Sequence, residues 1–289
     1  MIIDRLYESV NKKGHVCVGL DTAASYIPEE FFNKWASAGE AVFEFNKLII
    51  DATYDITACY KVQIAYYEAL GLEGLKAYKD TLKYLRQKKL IAIADIKRSD
   101  IADTAKMYAK AHFTGDFESD IVTLNPYMGL DSIEPYLEYV ENKEKGLFIL
   151  IRTSNKGASD IQYIETKDGK KVYTEVGDKI YELSKKYKGD CGYSSIGGVI
   201  GCTHIDEAEK IRKDLKDMFF LIPGYGAQGG KDKDVAAYLN KGNGGVVNSS
   251  RGILLAYKKH EDGNMRFAEY AREAVADMKR GIENAARIY

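Results

Sequence analysis

Short apolar segments alternate with longer helical segments along the whole chain, and this pattern constrains the fold more than any other feature. Eight apolar segments have the length of β-strands, and a helical segment follows each of them. Repeated strand-then-helix units are typical of parallel sheets covered by helices. Eight units predict a closed (β/α)8 barrel of the α/β class. The predicted strands lie in 15–21, 57–63, the start of 90–104, 120–126, 146–155, 197–203, 218–230 and 244–253.

The same pattern predicts the domain organisation. All residues from 1 to 289 are expected to form one barrel domain, preceded by an N-terminal helix that ends at Gly14. A polar, irregular stretch after the fifth strand continues to about Val172 and predicts an insertion, either an excursion or a lid-like loop. The alternative architecture is an open doubly wound sheet. The segment Gly19-Leu-Asp21 after the first strand lacks a GxGxxG fingerprint, which favours the barrel.

Composition and charge exclude several classes of partner. The formal net charge is −1, so no excess of positive charge indicates binding to nucleic acid or to an anionic membrane. The longest apolar runs, such as 148–151, have strand length and are far too short to span a membrane. The first residues lack the basic-then-apolar pattern of a signal peptide, and we expect a cytoplasmic protein.

Cysteine and histidine residues give no sign of a metal site. The four cysteines are scattered without CxxC spacing, and three lie in apolar strand-like runs, so we expect reduced core residues. No two of the four histidines have the helical spacing of a ligand pair.

The stretch from Leu90 to Thr104 combines a buried strand with charged residues. Asp95 and Lys97 fall on one face of the predicted strand, because side chains two residues apart share a face. Asp100 follows at the start of a predicted helix whose N-cap is expected to be Ser99 or Asp100. Charges at such a position are costly to desolvate unless they pair. They therefore indicate either a structural ion pair or an Asp-Lys-Asp array in an active site.

Polar side chains also recur at the predicted carboxyl ends of most other strands, where barrels place their catalytic residues. The Gly-rich exit after the seventh strand and Arg251 after the eighth together predict a phosphate site, since freed backbone amides and a guanidinium both bind anions. The candidate residues at the strand exits are Asp21, Lys61, Gln63, Asn125, Thr153, Ser154, Asn155, Gln228 and Arg251.

Motifs along the whole chain resemble those of orotidine 5′-phosphate decarboxylase. The segment Asp95-Ile-Lys97-Arg-Ser-Asp100-Ile, with Thr104 four residues after Asp100, resembles the DxKxxDI signature of that family. The Arg-Thr-Ser-Asn and Asn-Pro-Tyr elements and the chain length resemble its longer bacterial branch. Ser99, where that branch often has Gly, departs from the pattern without altering a charged position. The other similar segments are 19–21, 61–63, 124–127, 152–155, 223–230 and Arg251.

The resemblance implies decarboxylation of orotidine 5′-monophosphate to uridine 5′-monophosphate and CO2, without metal or organic cofactor. This reaction is the last step of de novo pyrimidine nucleotide synthesis. The resemblance implies that Lys97 is a buried amine that donates the proton, that Asp95 and Asp100 hold this amine, and that Lys61 is a further catalytic residue.

The resemblance also implies the contacts to the substrate. Asp21 and Lys61 would hold the ribose hydroxyls, Ser154 the pyrimidine, and Arg251 the phosphate. Gln228 would bridge base and phosphate, and Asn125 and Thr104 are further substrate-binding candidates. Asp100 and Thr104 would enter the site of a neighbouring subunit, so the resemblance implies a homodimer with shared active sites.

Two other functions remain open. A barrel of this type can carry a Mg²⁺-dependent decarboxylase or aldolase acting on sugar phosphates. Ser154, Gln228 and the segment 61–63 favour a pyrimidine substrate instead. The chain could also be a phosphate-ligand binding protein without turnover, but the intact Asp95, Lys97 and Asp100 favour an enzyme.

Overall fold

The computed structural model describes residues 1–142, 144–202, 205–226, 229–240 and 242–286, and it excludes the side chains of 205 and 206. Eight parallel strands pair in sequence order, and β8 pairs with β1 through Val247 and Val16, which closes the barrel. The predicted (β/α)8 barrel is therefore confirmed, and the open-sheet alternative is wrong. The strands are β1 (Val16–Gly19), β2 (Cys59–Gln63), β3 (Ala92–Arg98), β4 (Ile121–Leu124), β5 (Gly146–Arg152), β6 (Ile196–Ile200), β7 (Phe220–Ile222) and β8 (Gly245–Ser249).

Helices connect the strands and cover the outside of the barrel. The predicted N-terminal helix is present, and it ends at Gly14, whose φ of 86° suits a residue without a side chain. The α-helices of the described chain are α1 (Ile2–Lys13), α2 (Glu29–Phe32), α3 (Ala38–Thr53), α4 (Ala65–Glu68), α5 (Gly71–Gln87), α6 (Ala102–Phe113), α7 (Glu134–Asn142), α8 (Val172–Ser184), α9 (Ile205–Asp214), α10 (Asp232–Ala236), α11 (Arg251–Leu254) and α12 (Phe267–Ala286).

The apolar core forms two layers. The larger layer lies between strands and helices, where Tyr78, Leu82 and Leu85 of α5 are fully buried. The smaller layer fills the lower barrel interior, and Ile2 and Leu6 of α1 belong to it. The amphipathic helix α1 contributes to this interior layer from the start of the chain, whereas charged side chains occupy the carboxyl ends of the strands.

The connection between β3 and α6 differs from the prediction. Helix α6 begins at Ala102, and its N-cap is Ile101, which makes no side-chain capping bond. The prediction that Ser99 or Asp100 caps this helix is therefore wrong. The physical reason is the irregular backbone, because Lys97 and Ala102 have φ values of 45° and 49° and delay the start of the helix.

Other expectations about the fold can be compared directly. The insertion after β5 is irregular up to α8, apart from a 3-10 turn at Lys156–Asp160 and a single bridge between Glu165 and Lys171. All four cysteines are free, and Cys191 alone among them is only partly buried. Within the described chain, no helix combines the length and the apolar character needed to cross a membrane.

Candidate active site

Lys61 occupies the centre of a buried ion cluster at the carboxyl end of the barrel. Its Nζ lies 2.8 Å from Oδ1 of Asp21 and 3.0 Å from Oδ2 of Asp95, and only 4% of the residue is exposed. Burial opposes the charged amine, but the two carboxylates outweigh burial and raise the pKa of Lys61 above its usual value. The two ion pairs connect Lys61 of β2 to Asp95 of β3 and to Asp21, which follows β1. Removal of either carboxylate would leave the buried ammonium less compensated and would therefore be destabilising.

Asp95 accepts hydrogen bonds on both of its oxygens. Oδ1 accepts from Nζ of Lys97 at 2.5 Å and from Oγ1 of Thr123 at 2.8 Å. Oδ2 accepts from Lys61 and from Nε2 of Gln63 at 2.9 Å. Burial favours the neutral acid, but the charges of Lys61 and Lys97 hold the pKa of Asp95 well below its usual range. Asp95 is therefore a carboxylate at neutral pH.

Lys97 lies at the rim of this cluster. A buried amine was expected for a site shared by two chains and stays a prediction, whereas in the single chain the Lys97 side chain is 45% exposed. The cause is the positive φ of Lys97, which takes the residue out of regular strand alternation while its amine still reaches Asp95. The buried lysine of the site is Lys61.

Asp100 and Thr104 are two predicted residues that a single chain does not bring to Lys97. Oδ1 of Asp100 accepts a hydrogen bond from the backbone N–H of Ile101 at 2.9 Å. Thr104 is exposed on α6. Among the described residues, the lining of the two central cavities includes neither Asp100 nor Thr104. A single chain thus forms the Asp95–Lys97 pair without the third member of the predicted array.

Two adjoining cavities open above the charged cluster. Their volumes are about 370 and 350 Å³, and the lining of both includes Lys61, Asp95, Lys97, Pro223 and Asn248. Volumes of this size suit a small-molecule ligand. The charged residues lie at the junction of the two cavities, so a ligand that extends through both would pass directly over Lys97.

The first cavity has the features of an anion site. Arg251 lines it together with Gly224 and Tyr225, which follow β7. Gly224 has a φ of 100°, which glycine adopts without strain. Asp21 also faces this cavity, and its Oδ2 accepts a hydrogen bond from Oγ of Ser250 at 2.8 Å. Gln228, the predicted bridge between base and phosphate, lies outside the described residues.

The second cavity contains Ser154 and is less charged. Thr123, Leu150 and Asn155 line it beside Ser154. Gly201, at the exit of β6, permits this arrangement because a Cβ there would lie 2.7 Å from Cβ of Ser154. Ser154 therefore lies in close contact with the exit of β6.

Asn125 faces a different cavity. Its Oδ1 accepts a hydrogen bond from the backbone N–H of Tyr127 at 3.1 Å. It lines a neighbouring space of about 420 Å³, which shares Leu150, Thr153 and Asn155 with the Ser154 cavity. The structure thus places Asn125 one cavity away from Lys97.

Comparison with known proteins identifies the family. A family model described as the orotidine 5′-phosphate decarboxylase / HUMPS family matches residues 14–265. The chain belongs to this family. The resemblance inferred from the motifs is therefore confirmed.

Relatives of high similarity within the family are bacterial proteins named orotidine 5′-phosphate decarboxylase. The protein of Clostridium acetobutylicum is 69% identical over 279 residues, which cover 96% of this chain and 98% of that protein. The protein of Clostridium kluyveri is 66% identical and covers 98% of this chain and 97% of its own length. The solved structure of Leishmania donovani OMP decarboxylase is 28% identical with a TM-score of 0.76, covering 99% of this chain and 98% of its own.

Sequence reasoning missed several residues of this site, among them Thr123, Asn248 and Ser250. Thr123 bonds to Asp95, Ser250 bonds to Asp21, and Asn248 lines both cavities. Thr123 has a detectable signal, since it is a polar residue between Val122 and Leu124 in an apolar strand. Ser250 and Asn248 stand beside Arg251, but nothing in the sequence alone shows which way their side chains face.

The insertion after β5 contacts the residues beside the Ser154 cavity. Gln162 accepts a hydrogen bond from the backbone N–H of Thr153 at 2.9 Å and donates one to its Oγ1 at 2.7 Å. Further along the insertion, Tyr163 and Lys171 both bond to Glu207 of α9, at 2.8 and 2.6 Å. Because Thr153 directly precedes Ser154, the insertion is anchored beside the Ser154 cavity.

Proposed function

We propose that the chain catalyses decarboxylation of orotidine 5′-monophosphate to uridine 5′-monophosphate and CO2. The observation that carries this proposal is the Asp95–Lys97 ion pair, which lies where the cavity lined by Arg251 meets the Ser154 cavity. Membership of the decarboxylase family and the names of relatives at 62–69% identity support it. Nothing in this reaction requires an organic cofactor or a metal, and we propose that none takes part.

The chemistry requires an electrostatic site and a proton. Cleavage of the bond between C6 and its carboxyl group leaves the electron pair on C6 and releases CO2. An N–H proton of the Lys97 ammonium then forms the new C6–H bond, and solvent returns a proton to the amine. Asp95 holds the amine by their ion pair and lies close to where the substrate carboxylate would be. Lys61 keeps Asp95 ionised and in place.

The remaining candidates would bind the rest of the nucleotide. Asp21 and Lys61 would contact the ribose, Arg251 the phosphate, and Ser154 the edge of the pyrimidine. For Gln228 we retain the proposed role of bridging base and phosphate. Phosphate binding far from C6 can contribute to catalysis, because remote binding energy can drive loop closure and desolvation at the reacting carbon. Asn125 would act from the neighbouring cavity, at the border of the base site.

We propose that the active unit is a homodimer in which Asp100 and Thr104 complete the site of the partner subunit. Exposed apolar side chains lie at Ile101, on α6 and in the turns after β4, and α6 contacts one of these turns, 130–132. Exposed apolar clusters of this kind are typical of protein–protein interfaces. The exposed side chains are Ile101, Met107, Tyr127, Met128 and Leu130.

The main competing function is a Mg²⁺-dependent reaction of a sugar phosphate. In the present site the Lys61 ammonium lies between Asp21 and Asp95 and forms an ion pair with each carboxylate. This pairing favours the decarboxylase, because carboxylates that bridge a metal ion would have to give up the lysine.

The first experiment measures the absorbance change of orotidine 5′-monophosphate on addition of purified protein in the presence of EDTA. We expect turnover with chelator present. Lys97→Ala serves as the matched variant, and we expect it to lose turnover while it still binds uridine 5′-monophosphate. A requirement for added Mg²⁺, or reaction with sugar phosphates alone, would refute the proposal. Nucleotide binding without turnover by the wild type would instead indicate a binding protein.

A further inference from the structure

The carboxyl end of β3 departs from its register with β4. Ala94 pairs with Val122, and the next pair joins Arg98 to Leu124. Three residues of β3 thus lie opposite the single residue Thr123 of β4. Such a bulge removes backbone N–H groups from the sheet, and buried N–H groups need other acceptors.

The hydroxyl of Thr123 supplies the missing contacts. The backbone N–H groups of Ile96 and Lys97 both donate to Oγ1 of Thr123 at 3.0 Å. The same oxygen donates its proton to Oδ1 of Asp95 at 2.8 Å. A hydroxyl has one donor and two acceptor positions, so Thr123 uses all three. Its residue is fully buried, and water does not compete for these bonds.

The bulge also places Lys97 in a conformation that requires support. Its φ of 45° lies in the left-handed region, which a residue with a long side chain rarely adopts without surrounding contacts. Thr123 provides such a contact directly at the Lys97 amide. One oxygen atom thus connects the backbone of Lys97 to the carboxylate that pairs with its amine.

We propose that Thr123 is a positioning residue for the decarboxylation, whose hydroxyl fixes Asp95 and Lys97 in their catalytic arrangement. The proposal rests on the proposed function of this site. Thr123 acts through Asp95 and the Lys97 backbone, and its effect is therefore on the chemical step more than on nucleotide binding.

The test compares kcat, KM and uridine 5′-monophosphate binding in wild type, Thr123→Val and Thr123→Ser. Valine keeps the shape of threonine but cannot form the three hydrogen bonds, whereas serine keeps the hydroxyl. We expect T123V to lower kcat about 10- to 100-fold, since a displacement of reacting groups by about 1 Å can cost about 100-fold. Nucleotide affinity should change by less than about threefold, and T123S should retain kcat within about threefold of wild type.

Thr53→Val is the matched control. Thr53 is also fully buried and bonds to the Ile49 carbonyl and the Tyr60 hydroxyl, but it lies at the last residue of α3, away from the charged cluster. T53V should leave kcat unchanged. If T123V does not fold, Thr123→Ala carries the same expectation.

Wild-type kcat in the hydroxyl-free variants would overturn the proposal, and so would a T123S protein as impaired as T123V. These outcomes differ from failure of the proposed function, in which the wild type itself would not turn over orotidine 5′-monophosphate.

Discussion

Burial has opposite consequences for two ionisable residues of this barrel. Lys61 stays charged because two carboxylates compensate for its desolvation. His112 of α6 is also buried, but its Nδ1 has no hydrogen-bond partner within the described structure. Burial, together with the nearby positive charge of Arg98, lowers the pKa of His112 to about 4. The imidazole is therefore neutral in the folded protein and stacks against Phe117.

This lowered pKa predicts a specific loss of stability in mild acid. The unfolded chain binds a proton at His112 near pH 6.5, whereas the folded chain binds it only near the pKa of about 4. The contribution of neutral His112 to the free energy of unfolding is thus complete above pH 6.5, and it decreases as the pH falls towards 4. From pH 7 to pH 5 the His112 contribution should fall by about 2 kcal/mol.

Urea denaturation of wild type and His112→Gln at pH 7 and pH 5 measures this contribution. We expect the loss between the two pH values to be about 2 kcal/mol smaller in H112Q. Thr53→Val is the control, because it removes buried hydrogen bonds without removing a group that titrates in this range, so the loss should stay as in the wild type. An identical loss in H112Q and wild type would contradict the prediction.

At the scale of residues, the sequence predicted the chemical types of the site better than their environments. Asp21, Lys61 and Asp95 could be found because each is a charged residue within or shortly after an apolar strand, and the structure brings them together. The exposure of Lys97 could not be predicted, because strand alternation assumes a regular backbone. The bulge is visible only in the pairing of β3 with β4.

At the scale of elements, the insertion after β5 has two distinct parts. Tyr163 and Lys171 join it to Glu207 of α9, and the fully buried Arg152 of β5 lies 3.6 Å from the same carboxylate. Gln162 instead contacts Thr153, next to Ser154. The contacts to Glu207 hold the insertion on the barrel, whereas the contact from Gln162 lies beside Ser154, the proposed pyrimidine contact.

Replacement of Gln162 by methionine should therefore weaken binding of the base selectively. Methionine has a similar length but cannot form the two hydrogen bonds to Thr153, each worth about 1 kcal/mol. We expect the affinity for uridine 5′-monophosphate to fall about tenfold, while ribose 5-phosphate, which has no base, binds as in wild type. Titration calorimetry with both ligands measures the difference.

Ile164→Ala is the matched variant, since the Ile164 side chain is exposed on the same insertion, lies outside the lining of the three cavities and should not alter either affinity. Equal weakening of both ligands in Q162M would show a general loss of structure rather than an effect on the base.

The elements themselves were largely predictable, but their contacts were not. The order of strands and helices follows from local apolar patterns, and all eight strands lie within or overlap the predicted segments. The bonds between Gln162 and Thr153 span nine residues of irregular chain, and those from the insertion to Glu207 span more. Irregular segments have no periodicity from which such contacts could be read.

At the scale of the whole molecule, barrel closure was predictable because eight strand-helix units can cover both surfaces of one closed sheet. The arrangement of the complete site was not predictable from local patterns. Asp100 is separated from the lining of both cavities, although it follows Lys97 by only three residues. In the proposed homodimer the connection between β3 and α6 of the partner subunit would supply this carboxylate, so each site would need residues from two chains.

A shared site predicts that two inactive variants restore activity when mixed. Lys97→Ala and Asp100→Asn should each be nearly inactive alone. In a hybrid dimer, the site on the D100N subunit has its own Lys97 and receives an intact Asp100 from the K97A subunit. Random exchange makes half of the dimers hybrids with one intact site of two, so about one quarter of wild-type activity should return.

Mixing Lys97→Ala with Asp95→Asn is the control. It tests whether recovery requires residues from two chains or only stabilisation of one variant by pairing with a second chain. Both residues belong to the site of one chain, so every site in these hybrids lacks one of them, and no activity should return. Absence of recovery in the K97A and D100N mixture, with exchange of differently tagged subunits verified, would show that Asp100 does not act across an interface. Recovery confined to that mixture requires that Lys97 and Asp100 come from different chains, because no other combination then assembles an intact site.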